Sequence, residues 1–235
     1  MLLARRARRD RPVALCVSGM SAEARVARAA GFSAIVGAEN ATSIAVLIEK
    51  TAPQIKCLIS FGVTGGLAPY LRPGDVLLST EVIGDDRRLR AAAPFRCGVI
   101  ELARQLEVFA GPLLGSDVII ASTQEKRRVW RKTGALAVDL ENAVVASAAE
   151  AARIPFLVLR AIADPATREL PSAALIPFTG DENSVLFRLI AELLRQPRQI
   201  AALLVLAFDT RRALMALAAP ARALYQALTT ADWGS

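Results

Sequence analysis

Short apolar runs alternate with amphipathic stretches along most of this chain. Val13 to Val17 is an apolar run closed by Ser18-Gly19, which predicts a buried strand. Ser21 is placed to cap a helix over 22–30, ended by Gly31. A second strand is predicted over 32–36 and a helix over 42–51, stopped by Pro53. A third strand over 55–61 runs into Gly62-Val63-Thr64-Gly65-Gly66. The turn Arg72-Pro73-Gly74-Asp75 precedes a fourth strand over 76–83 and a polar stretch over 84–90. Helical spacing over 97–109 is followed by strand-like segments at 112–114 and 118–121, then a helix over 125–132. A strand over 135–140, an Ala-rich helix over 141–153 and a strand over 155–162 complete the alternation. Pro165, Pro171 and Pro177 mark a loop region, and helical spacing resumes from Asp181. Strands alternating with helices imply right-handed crossovers and a parallel or mixed sheet. The expectation is therefore an α/β chain with one central mixed sheet flanked by helices and a helical C-terminal tail. Residues 12–235 form its single domain, 181–235 its tail, and 1–11 a basic arm.

Composition narrows the chemistry. The 235 residues are 54% hydrophobic and include no histidine. Ser-His-Asp and Cys-His machinery and His-ligated metal sites are excluded. Proton transfer must fall to Asp, Glu, Lys, Tyr, Cys or water. Cys16, Cys57 and Cys97 form no CxxC pair, so neither structural zinc nor a disulfide framework is expected. The net charge of +7 is carried almost wholly by arginine. Arg5, Arg6, Arg8, Arg9 and Arg11 crowd the N-terminus, as a solvated arm or as a contact for nucleic acid or an anionic membrane. No aromatic residue interleaves with them, which speaks against base stacking, and no nucleic-acid partner is expected. Arg195, Arg198, Arg211, Arg212 and Arg222 lie among Leu, Ala and Val. That pattern suits a helix packed on the sheet or at a homo-oligomer interface, or a basic amphipathic helix touching a membrane. With no signal-peptide core and no spanning segment, the cytoplasm is the default location, peripheral contact with the inner face of the membrane included.

Ligands of such sheets sit at the carboxyl ends of strands, which singles out Gly19 to Glu23, Gly62 to Gly66, Glu141 and Asp164. The Gly62–Gly66 run is neither GxGxxG nor a Walker loop; it is a tight turn or an anion-binding backbone with Thr64 as hydroxyl donor. Glu141 stands where a helix dipole favours a carboxylate, as cap or as ligand. Asp164 before Pro165 is a turn former, or a buried acid with a raised pKa. Arg160 lies four residues before Asp164 on the same predicted strand, a spacing that lets the two pair or leaves Arg160 pointing into the sheet's edge.

Four segments, taken in order, resemble the nucleoside phosphorylase and nucleosidase superfamily of purine and uridine phosphorylases and methylthioadenosine nucleosidases. They are Ser18-Gly19-Met20 with Glu23; Phe61 through Pro69 with Leu71 and Pro73-Gly74-Asp75-Val76; Ala137-Val138-Asp139-Leu140-Glu141; and Ile154-Pro155-Phe156 through Arg160-Ala161-Ile162-Ala163-Asp164. Asp164-Pro165, Leu170-Pro171 and the arginine-bearing tail resemble the hopanoid-associated phosphorylases of bacteria. The resemblance implies a nucleoside-phosphorylase-like fold and cleavage of a ribosyl N-glycosidic bond through an oxocarbenium-like transition state. It gives Glu141 the ribose hydroxyls, with Leu140 packed under the sugar. Asp164 becomes the general acid at purine N7 and a contact of the base, beside Val118. Phosphate or water would be held by Gly19, Thr64, Gly65 and Arg25, or oriented by Glu23. The narrower resemblance implies phosphorolysis of adenosylhopane in hopanoid biosynthesis; Glu23 points instead to hydrolysis of the methylthioadenosine/S-adenosylhomocysteine type. A non-catalytic nucleoside-binding or membrane-adaptor protein is the reading from another class. No cofactor is implied beyond phosphate as co-substrate.

Overall fold

The computed structural model describes residues 14–36, 46, 55, 57–84, 87–175, 196 and 199–230. The basic arm, all of the helix expected over 42–51 except Val46, the first part of the tail, and Arg195 and Arg198 lie outside them.

The centre of the fold is a parallel pair of long strands, β3 (Cys57–Gly66) and β10 (Phe156–Asp164). All of β10 is buried, as expected of a strand covered on both faces. β1 (Ala14–Ser18) lies parallel to the first half of β3 and carries β2 (Ser33–Val36) on its other side. The end of β3 pairs antiparallel with β9 (Ala137–Asp139), which continues through β8 (Leu113–Gly115) and β5 (Glu81–Ile83) to β6 (Arg88–Arg90). On the far side of β10 follow β4 (Val76–Ser79), antiparallel, and β7 (Phe109–Ala110). The described helices are α1 (Ser21–Ala29), α2 (Ala93–Gln105), α3 (Thr123–Thr133), α4 (Asn142–Ala151), α5 (Gln199–Ala216) and α6 (Ala218–Thr230).

Strand alternation sends each face of the central pair into its own apolar layer. Phe61, Leu157 and Leu159 pack with Leu217 and with Leu224 of α6. Leu58, Val158 and Ile162 pack with Val145 and Ala149 of α4. The sheet is thus mixed and flanked by helices, as the alternation predicts, and α5 and α6 form the described part of the tail.

Several elements differ from the sequence expectation. The glycine run is no loop: β3 continues through Gly66, because β10 supplies hydrogen-bond partners on one edge and β9 on the other. The strand expected over 76–83 breaks at Thr80, so that β4 joins β10 while β5 joins β8. Arg88–Arg90, read as polar loop, pairs with β5, where Glu81 takes hydrogen bonds from Arg88 and Arg90. Residues 118–121 form no strand. Ser21 lies inside α1; Met20 precedes it, and its N–H donates to Glu23 Oε2 at 2.9 Å. Asp164 is the last residue of β10 rather than part of a loop.

Candidate active site

The ends of β3 and β10, the start of α1 and the junction of β9 with α4 converge on Arg160. This guanidinium, only 1% exposed, sits in an otherwise apolar strand. Its Nη2 donates to Ser60 Oγ at 2.8 Å, to Asp139 Oδ1 at 3.0 Å and to Glu141 Oε2 at 3.0 Å. Its Nη1 donates to the Val63 carbonyl at 3.2 Å and lies 4.0 Å from Glu23 Oε1. An unpaired guanidinium there would cost several kcal/mol, roughly 3–5 when a buried partner is missing. Three carboxyl groups thus face one guanidinium.

Two of the three carboxylates are fixed by backbone N–H groups. Glu23, buried in α1, accepts from the Met20 N–H and, at 2.7 Å, from the Val63 N–H. Burial pushes its pKa up, against the pull of Arg160 and of those two N–H groups. Asp139 Oδ1 accepts from the backbone of Glu141 at 2.7 Å and of Asn142 at 3.2 Å, so Asp139 caps α4. Burial raises its pKa too, with Arg160 opposing. Glu141 is therefore free of the capping role, and its side chain turns to Arg160. Two glycines leave the room this requires. A Cβ on Gly19 would lie 2.4 Å from Glu141 Oε1, and one on Gly62 would lie 2.2 Å from Glu23 Oε1.

Asp164 belongs to a second buried pair. The β3–β10 ladder slips by one residue between Ile162 and Asp164. The same-face spacing of an uninterrupted strand is lost, and Asp164 turns to Lys126 of α3 rather than to Arg160. Lys126 Nζ lies 2.5 Å from Asp164 Oδ2, and Oδ1 is buried without a hydrogen-bond partner. Burial raises the Asp164 pKa against the lowering effect of Lys126, and burial lowers that of Lys126 against Asp164.

Between these clusters lies a cavity of about 270 Å³. Asp139, Leu140 and Asp164 contribute to its wall, with Val118, Leu206 and Thr210. Leu140 and Val118 are exposed at its edge, and Leu206 brings α5, the first described helix of the tail, to the site. Thr64 and Gly65 line it as well, but the Thr64 hydroxyl donates at 2.7 Å to the Val138 carbonyl, so its proton is committed within the sheet. Arg25 stands exposed on α1, while Glu23 of the same helix is buried. The cation set among the site carboxylates is Arg160. Sequence reasoning singled out Glu23, Glu141, Leu140 and Asp164 but not the roles of Asp139 and Lys126. The Asp139 signal was visible as Asp-x-Glu-Asn at a helix start, a capping pattern. For Lys126 there was only its rarity as a lysine in an arginine-rich chain.

Comparison with known proteins adds lineage to this geometry. The sequence pattern described as "Phosphorylase superfamily" matches residues 6–195. A 5'-methylthioadenosine/S-adenosylhomocysteine nucleosidase of Desulfotalea psychrophila is 27% identical over 177 residues, 63% of this chain and 73% of the relative. An aminodeoxyfutalosine nucleosidase of Campylobacter jejuni is 28% identical over 151 residues, 56% of this chain and 65% of the relative. Among solved structures, the 5'-methylthioadenosine/S-adenosylhomocysteine nucleosidase of Neisseria meningitidis in complex with methylthio-immucillin-A superimposes with a TM-score of 0.64 at 18% identity. That match covers 91% of this chain and 98% of the other.

Proposed function

The chain belongs to the phosphorylase superfamily, and from that premise we propose that it is an enzyme cleaving the N-glycosidic bond of an adenine nucleoside, with water as the nucleophile. The observation that carries the hydrolytic reading is the pairing of Arg160. Its η nitrogens face three carboxylates, a hydroxyl and a carbonyl. Lys126 is likewise engaged, by Asp164 and two carbonyls, and Arg25 is exposed elsewhere. Among the described residues, both buried cations of the site are thus paired with carboxylates, only Arg160 Nε being left without a partner, and the carboxylates repel a dianion. Water meets no such barrier.

The residues divide the reaction between them. Asp164, protonated, gives its proton to a purine ring nitrogen as the C1′–N9 electron pair moves onto the base, so that neutral adenine leaves. Positive charge grows on the ribose ring, and Glu141 supports it while accepting hydrogen bonds from the sugar hydroxyls. Glu23 holds the attacking water: the water oxygen bonds to C1′ and its proton passes to the Glu23 carboxylate. A raised pKa suits both Asp164 as donor and Glu23 as acceptor near neutral pH. No cofactor enters these steps. Leu140, Val118, Ile119, Leu170 and Leu206 make the cavity wall largely apolar, which favours a substrate with an apolar group in place of the 5′-hydroxyl.

The apolar wall also supports a second, narrower reading, phosphorolysis of adenosylhopane. The two are separated by incubating the protein with nucleosides carrying 5′-methylthio or 5′-alkyl groups, with and without phosphate. Adenine release at equal rates, with free sugar as product, is expected. Strict dependence on phosphate, with a sugar 1-phosphate formed, overturns hydrolysis.

A further inference from the structure

We propose that Lys126 is the positioning residue for the leaving-group proton: it occupies Oδ2 of Asp164, so that Oδ1 carries that proton and donates it to the base. This rests on Asp164 being the general acid. Lys126 projects from α3 and is fully buried. Its ammonium donates to Asp164 Oδ2 at 2.5 Å, to the Arg168 carbonyl at 2.8 Å and to the Pro165 carbonyl at 3.2 Å. A lysine ammonium has three N–H donors and no acceptor, so these three oxygens use it completely, and the charge of Asp164 opposes the lowering of its pKa by burial. Asp164 Oδ1, by contrast, has no partner, and Asp164 forms part of the cavity wall. With Oδ2 already accepting from an ammonium, a proton added to this carboxyl resides on Oδ1.

The step balances without a further reactant. Before bond cleavage the pair is Asp164-COOH with Lys126-NH3+. As the C1′–N9 electrons move onto the base, the Oδ1 proton moves to a purine nitrogen. The pair that remains, Asp164 carboxylate with Lys126 ammonium, is neutral overall. Lys126 thus stabilises the product of proton transfer, and a proton from solvent restores Oδ1–H for the next turnover. Burial and Lys126 pull the acid in opposite directions, which keeps it both populated and strong enough to donate. The other charged groups acting on the pair are Arg168, Glu169 and Asp209, of which Arg168 and Asp209 bond to each other.

Lys126→Met removes charge and donors at similar length; Lys126→Gln keeps a donor without the charge. Both are assayed across pH on a purine nucleoside and on a p-nitrophenyl riboside, whose leaving group departs without a proton. For Lys126→Met, kcat on the purine nucleoside falls about ten- to a hundred-fold, with a much smaller loss on the p-nitrophenyl riboside. The alkaline limb of its pH profile moves to higher pH, since the charge that stabilised the carboxylate is gone. Lys126→Gln shows the same shift of the limb, and decides the matter if the Met variant does not fold. Equal losses on both substrates with an unmoved limb overturn the proposal and leave Lys126 a packing element. Asp164→Asn serves as control: wild-type adenine release in that variant removes the general-acid reading itself.

Discussion

Gly62→Ala adds one methyl group at the point where β3 passes the carboxylate cluster. Its Cβ would stand 2.2 Å from Glu23 Oε1, 2.4 Å from Glu23 Cδ and 2.7 Å from Arg160 Nη1, against 3.4 Å or more for an ordinary contact. Relief requires a displacement of about 1 Å in a side chain that is 2% exposed and tied to the N–H groups of Met20 and Val63. The backbone φ of 154° adds to the strain on any residue with a side chain. Overpacking costs about 1–3 kcal/mol, and weakening hydrogen bonds to a charged group costs a similar amount, so the fold loses about 2–6 kcal/mol. For a chain of this size that lowers the melting temperature by about 4–24 °C. On the proposed role of Glu23 as the group that holds the attacking water, a 1 Å error also costs on the order of a hundred-fold in kcat. KM moves little, since Glu141 and Asp164 are not displaced. Thermal unfolding and adenine release under saturating substrate read the two effects separately. A lowered melting temperature with wild-type kcat refutes the role of Glu23 while leaving the packing argument intact. An unchanged melting temperature refutes the packing argument itself.

Arg160→Met leaves three carboxylates without their guanidinium; a loss of about 3–5 kcal/mol is expected in urea unfolding, and a variant as stable as wild type contradicts the cluster's charge balance. Asp139→Asn keeps the oxygen that caps α4 but cannot ionise. Burial holds the Asp139 carboxyl above its ordinary 3.8, so the folded chain retains a proton that the unfolded chain has released. This group's contribution to stability is therefore lost as pH rises from 3.8 through the raised value. The variant's urea midpoint is expected to fall less steeply over that range than the wild type's, and an equal or steeper fall counts against the assignment.

What could be read from the sequence follows from how locally each feature is determined. β10 was legible because a strand buried on both faces is a continuous apolar run, whatever its neighbours. The second half of β3 was not, because Gly62, Gly65 and Gly66 read locally as a turn, while their extended form is decided by strands about 75 to 100 residues further on. Thr80 hides a similar long-range decision, the assignment of β4 and β5 to different neighbours. Of the candidate residues, Glu23 and Asp164 stand out by position because they follow or end the parallel strands β1 and β10, whereas Glu141 follows β9, which runs antiparallel to β3. Charge pairing was not legible in the same way. Arg160 was visible as a cation in an apolar run, but a spacing of four suggested Asp164, and the ladder slip beyond Ile162 removes that geometry. Its carboxylates come from α1, from β9 and from the α4 N-terminus. That difference bears on the nucleophile. Sequence position supplies Glu23 and an arginine, a set equally suited to phosphate and to water. The proposed preference for a neutral nucleophile over a dianion rests on the tertiary pairing, in which Arg160 faces three carboxylates and Arg25 is exposed.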